Sequence, residues 1–136
     1  MTFLYFLYAF TPWTLLLLRI ALGVVFIKHG MPKLKMAEQI AASMGMSSAK
    51  VKLIGLVEFL GGLSVLLGLF TQIGALGLMI VMIGAMYYKK MVWHVPFVAM
   101  EKMGWEYDLI LFTTALLLVT SGGSLLSLDW LVFGIA

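Results

Sequence analysis

The sequence predicts an all-α protein: a four-transmembrane-helix bundle, antiparallel, with a short interfacial helix between spans 1 and 2. Three observations carry that prediction. Hydrophobic residues make up 63% of the 136 and charged ones only 11%, with a mean hydropathy of +1.11. An ordinary soluble domain is about 25% charged and roughly 45–50% apolar, and a chain this short cannot enclose so much apolar surface. The apolar residues also fall into four stretches, each near the roughly 20 helical residues that a bilayer core of about 30 Å requires. Finally, eight of the nine Lys and Arg residues fall in or beside two polar connections. The composition weighs against a soluble enzyme, a nucleic-acid-binding module and a disordered tail, despite a net charge of +3.

The first span is expected over about 12–28, with Thr11-Pro12 as an N-cap followed by proline at the first helical position. The aromatic run before it, Phe3 to Tyr8, either extends the helix or lies in the membrane interface, where Tyr and Trp prefer to sit. No Lys or Arg precedes Arg19, so the basic start of a cleavable signal is missing. Spans 2 and 3, about 49–70 and 73–88, are separated by only Thr71-Gln72, which forces an antiparallel hairpin. Span 4 covers about 105–121 and stops at Ser121-Gly122-Gly123-Ser124. The final residues, with Asp129 among apolar neighbours, read as a tail along the membrane surface. Met36, Ile40 and Met44 recur at helical spacing in the first connection and predict the interfacial helix. The glycine pairs Gly55/Gly62, Gly61/Gly68 and Gly77/Gly84 are each seven apart, so each forms a stripe suited to close helix packing. One domain, 1–136, is expected.

Lys28, Lys33, Lys35, Lys50, Lys52, Lys89, Lys90 and Lys102 all fall on one side of a four-span topology. The positive-inside rule makes that side cytoplasmic and puts both termini outside. A multi-pass protein of the plasma membrane is the expectation.

Charges inside apolar spans are expensive, so they face the interior, pair, or change protonation. Arg19 and Glu58 are therefore expected as a buried polar pair, although their heights differ by about 10 Å. One reading is an ion pair that fixes helix register; the other is a pocket for a small molecule or quinone. A second cluster gathers at the cytoplasmic end, where His29 ends span 1 and Glu106 and Asp108 begin span 4. The acidic pair suits a helix N-terminus; alternatively His29, Glu58 and Glu106 or Asp108 form a proton relay. Glu101 and His94 lie in the second connection. His29, His94 and carboxylates have no recognised ligand spacing, and no metal site is expected. With no cysteine, thiolate and iron–sulfur chemistry are excluded. Nucleotide-binding loops and hydrolase motifs are absent from the sequence.

Several segments, in order, resemble the DoxX family of small four-helix membrane proteins. They are Arg19-Ile-Ala-Leu-Gly23-Val-Val-Phe26 with His29-Gly30-Met-Pro32-Lys33, and Gly55-Leu-Val-Glu58-Phe-Leu-Gly61-Gly62 with Leu67-Gly68-Leu69-Phe70-Thr71 and Ala75. Gly104-Trp105-Glu106-Tyr107-Asp108-Leu109, Gly123 and Ser127-Leu128-Asp129 complete the set. The resemblance implies an integral membrane protein with Arg19 and Glu58 as family-type buried charges. The family takes its name from a subunit of an archaeal thiosulfate:quinone oxidoreductase, which implies a subunit or accessory protein of a quinone-linked redox complex. Quinone is then the candidate ligand, while no independent catalytic motif makes this chain an enzyme by itself. The other functions open to it are a proton or small-solute transporter and a non-catalytic anchor or assembly factor. The expected partners are the lipid bilayer and a second protein or another copy of the chain, and not nucleic acid.

Overall fold

The structure, a computed structural model, describes residues 2–99 and 103–135, and among these there are helices and no strand. Glu101 and Lys102 lie outside the described residues. A 3₁₀ segment, Thr2–Phe10, leads into α1 (Thr11–Lys35), followed by α2 (Ala37–Met44), α3 (Ser48–Leu67) and α4 (Thr71–Tyr87). A π-helical turn (Tyr88–Val92), α5 (Trp105–Ser121) and α6 (Leu128–Phe133) complete the chain.

α1 departs from expectation at both ends. The 3₁₀ segment runs directly into it, so Phe10 holds the cap position without a side-chain bond and Thr11 is already helical. At the other end the helix continues two turns past Lys28. Pro32 removes one intrahelical donor, yet the Met36 N–H closes the last turn on the Pro32 carbonyl at 2.8 Å. α2 stands where the interfacial helix was expected, but it buries Ala37 and Ala41 against Val51. Met36 is exposed, and Ile40 and Met44 are half-buried. Small residues are what the close approach of α2 to α3 admits.

The α3–α4 turn is Gly68–Phe70, earlier than Thr71-Gln72. Gly68 ends α3 at φ +70°, a left-handed conformation natural to glycine. Phe70 takes φ +52°, which is unfavourable for a bulky side chain. Its N–H donates to Asp129 Oδ1 at 2.7 Å and the Thr71 N–H donates to Oδ2 at 2.9 Å. The N-terminus of α4 is thus capped by a carboxylate from α6, which also faces the positive end of the helix dipole.

The most extensive packing is of α1 on α3, followed by α4 on α5 and then α3 on α4. Neighbours run in opposite directions: Gly23 meets Gly62 and Leu66, whereas Gly30 meets Gly55 and Phe59. The central core takes Leu22 and Phe26 from α1, Val65 from α3, Ala75, Leu78 and Met82 from α4, and Leu111, Ala115 and Leu118 from α5. The outer faces are apolar. Leu53, Leu56, Leu60, Leu63 and Leu67 form an exposed stripe along α3, and Ile73, Leu76, Ile80 and Ile83 one along α4. Continuous apolar surface of this kind is covered by lipid or protein in functioning molecules. Two helical stretches, Leu4–Lys35 and Thr71–Val92, are long and apolar enough to cross a membrane. α3 carries Lys50, Lys52 and Glu58, and α5 is 17 residues long.

The backbone approach of α1 to α3 leaves no room for side chains at the crossing. A Cβ on Gly23 would stand 2.8 Å from the Gly62 carbonyl oxygen. Gly23→Val is therefore expected to lower stability by about 1–3 kcal/mol through forced separation of the helices, measured by thermal unfolding in detergent.

Candidate functional site

The antiparallel register of α1 and α3 decides where the charges go. Position 19 lies opposite the end of α3, and position 33, about one and a half turns past the expected end of span 1, lies opposite Glu58. Both Arg19 and Glu58 are 1% exposed, but they do not pair. The expected Arg19–Glu58 pair is replaced by two separate arrangements, because seven residues of α3 put Val65 about 10 Å from Glu58 and each charge finds nearer partners.

Arg19 binds backbone. Its Nε donates to the Val65 carbonyl at 3.0 Å, and Nη1 donates to Gly123 and Leu126 at 2.7 and 2.8 Å. One guanidinium thus gathers carbonyls from the end of α3 and from the loop after α5. With Asp129 capping α4 from the following α6, the end of the molecule holding the α3–α4 turn is tied shut.

Glu58 instead holds Lys33, whose Nζ lies 2.5 and 2.6 Å from the two carboxylate oxygens. A second pair forms nearby: Lys89, in the π-helical turn, lies 2.7 Å from Asp108 Oδ2. Its Nζ also donates to the Gly104 carbonyl at 3.3 Å. The π-helical turn re-aims α4 after Tyr87 and so carries Lys89 toward α5, the kind of local distortion that recurs at functional sites.

Both ion pairs line one cavity of about 590 Å³. Its wall is otherwise apolar, formed by Phe26 of α1, Val51, Ile54 and Val57 of α3, Val81 and Met82 of α4 and Leu111 of α5. His29, Tyr88 and Tyr107 join the charged residues at the polar end. The His29 ring stacks on Tyr107 with centroids 6.1 Å apart. A largely apolar chamber with a few convergent polar groups has the form and size of a small-molecule site.

The proposed relay residues are therefore divided. His29, Glu58 and Asp108 line the cavity; Glu106 does not. Its Oε2 is buried without a hydrogen-bond partner among the described residues, close against Gly104. Arg19 and His94 are also absent from the lining, and His94 stands exposed at φ +50°. Lys33 and Lys89 were missed as site residues because each reads in sequence as a cation marking the end of a span. The available signal was spacing: Lys33 follows His29 by four residues and so shares its helix face.

The DoxX family model matches residues 14–91. A protein of Bacillus subtilis (strain 168) named "Putative oxidoreductase CatD" is 33% identical over 121 residues, covering 87% of this chain and 86% of that protein. The chain belongs to the DoxX family. No solved structure matches it. DoxX proteins are membrane-associated, in keeping with the two apolar helical stretches of spanning length. The stretch that matches the DoxX model contains Arg19, His29, Lys33, Glu58 and Lys89. Asp108, which completes the second ion pair, falls beyond it.

Removing one member of a buried ion pair strands its partner. Lys33→Met alone is expected to cost about 3–5 kcal/mol, whereas Lys33→Met with Glu58→Met recovers most of that loss; denaturation of the three proteins in detergent measures both. Arg19→Lys is expected to lose at least about 2 kcal/mol in the same assay, since one ammonium cannot reproduce the guanidinium fork across several carbonyls.

Proposed function

We propose that this DoxX protein is a four-span plasma-membrane protein that binds a quinone in the cavity and serves as a subunit or accessory of a quinone-linked redox complex. The observation that carries the reading is the cavity itself: about 590 Å³, apolar along most of its wall, with two ion pairs at one end. A quinone offers an apolar ring and two carbonyl acceptors. Lys33 and Lys89 supply ammonium donors, and Tyr88 and Tyr107 supply hydroxyl groups at the same end of the chamber. The residues present therefore fit the group. When bound, a quinone supplies the capacity to accept and release electrons; Lys33, Lys89 and the tyrosines would hold its oxygens. Phe26, Val57 and Leu111 would exclude water from the ring.

The membrane arrangement follows from the same end of the molecule. α3 and α5 join the two long apolar stretches as spans, with Lys50 and Lys52 at the start of α3 and Glu106 and Asp108 in the first turn of α5. Those ends, together with Lys33, Lys35, Lys89 and Lys90, face the cytoplasm under the positive-inside rule. The cavity then opens toward the cytoplasmic leaflet, where a soluble redox partner would dock. The oxidoreductase name of the Bacillus relative accords with such a setting. Transport across the membrane has less in its favour, because the Arg19 and Asp129 contacts close the opposite end.

Purification in mild detergent, organic extraction and mass spectrometry test the ligand. Quinone is expected to be enriched over lipid controls with the wild-type chain. It is expected to be depleted with the Lys33→Met/Glu58→Met protein, whose fold is checked first by its thermal unfolding in detergent. No enrichment with the wild-type chain removes quinone from the proposal.

A further inference from the structure

The helices α3 and α4 approach closely near their turn, where an apolar groove of about 640 Å³ runs along the hairpin beside Leu60, Phe70 and Ile73, and they part toward the opposite end. Near the turn, a Cβ on Gly61 would lie 2.9 Å from Leu78 Cδ2, and Ser64 crowds Gly74. One turn further on, Gly77 has only Val57 Cγ1 nearby, at 3.2 Å. At Gly84, two more turns along, an added Cβ meets nothing within 4 Å. The expected packing stripe of Gly77 and Gly84 thus holds at Gly77, which lies close against Val57, and fails at Gly84, where the helices have diverged; both glycines line the cavity. Two further lining residues, Leu53 of α3 and Ile80 of α4, are 62% and 59% exposed. A residue that both lines a chamber and faces outward marks its mouth, and this mouth is in the apolar side of the molecule.

We propose that the cleft between α3 and α4, bordered by Leu53, Gly77, Ile80 and Gly84, is a lateral portal through which an uncharged amphiphile reaches the cavity from the bilayer. Its apolar tail lies along the glycines and extends into lipid, while its polar head meets the ion pairs. The proposal rests on the membrane and ligand-binding reading above and specifies the class of molecule and its route. The head is uncharged because the cavity already balances Lys33 with Glu58 and Lys89 with Asp108. An ion would have to displace a partner from a desolvated pair. The tail is apolar because Leu53, Val57, Ile80 and Val81 surround the cleft. Glycine at 84 is the size determinant: any branched side chain there occupies the space the tail needs.

The test uses the full chain in phosphatidylcholine nanodiscs and two quinone probes, decylubiquinone and its tailless analogue 2,3-dimethoxy-5-methyl-1,4-benzoquinone. Binding is followed by quenching of tryptophan fluorescence, since Trp93 lines the cavity. Gly84→Leu is expected to weaken decylubiquinone by at least about tenfold, a change of about 1.4 kcal/mol. It should leave the tailless probe within about twofold of wild type. Gly84→Ala, whose Cβ has room, is expected to bind both as wild type does. Equal binding of decylubiquinone by Gly84→Leu and wild type overturns the portal and leaves the quinone reading standing. If neither probe binds wild type, the quinone reading fails, and a separate measurement decides the portal. The chain has no cysteine, so a nitroxide can be placed on Gly84→Cys alone. Collision with dissolved oxygen as frequent as at Leu53→Cys supports a cleft open to lipid; oxygen access as low as at the buried Ala75→Cys overturns it.

Discussion

The close antiparallel crossing of α1 and α3 is the constraint from which the site follows. Gly23 and Gly62 at one height, and Gly30 and Gly55 at another, bring the two backbones together without intervening side chains. Once that register is set, Arg19 lies beside the end of α3 and the loop after α5, and Lys33 lies beside Glu58. Arg19, Lys33 and Glu58 then each find partners in a chain with few polar groups. Burying a charge is tolerable only when it is paired or hydrogen-bonded, so register and charge placement support one another. A one-turn slip would separate Glu58 from Lys33 and leave Arg19 short of its carbonyls.

The two ends of the molecule are consequently different. At the α3–α4 turn, Arg19 and Asp129 satisfy backbone groups from several elements. Asp129 receives two amide donors while its own N–H reaches the Gly68 carbonyl at 2.8 Å. These bonds hold Phe70 in a conformation it would not adopt alone, a local strain of order 1–3 kcal/mol. At the other end the charges pair through side chains around open space, α4 ends in a π-helical turn, and α3 and α4 diverge. Backbone hydrogen bonding is concentrated at one end and the charge-lined chamber at the other. Such a division suits a binding protein, since the sealed end fixes the helices that border the chamber.

Much of the architecture was legible because hydrophobic patterning acts locally. The start of α3 after Ser47, the span of α5 and the hairpin of α3 and α4 lie close to where apolar runs and turn residues put them. The misreadings share a physical cause. Lys28 looked like a terminus because a cation usually ends an apolar run, yet α1 continues where α3 and α2 offer it a surface. Gly77 and Gly84 have the spacing of a packing stripe, but spacing cannot tell whether a neighbouring helix is near or has diverged. Glu106 and Asp108 are two residues apart and chemically alike; the helix turn sends only Asp108 into the cavity. Lys33 and Lys89 were legible as charges and illegible as partners.

The sequence by itself determined the apolar character, the helical elements, the asymmetry of the cations and the presence of charges that had to be satisfied out of water. These follow from composition and short-range periodicity, which any segment carries with it. Tertiary structure alone decided that Glu58 belongs to Lys33, that Arg19 serves backbone carbonyls, and that α4 is capped from α6. It also decided that the space beside Gly84 stays open. Pairing and empty volume depend on distances between segments far apart in the chain, and those distances are set by how closely helices approach rather than by what either helix contains.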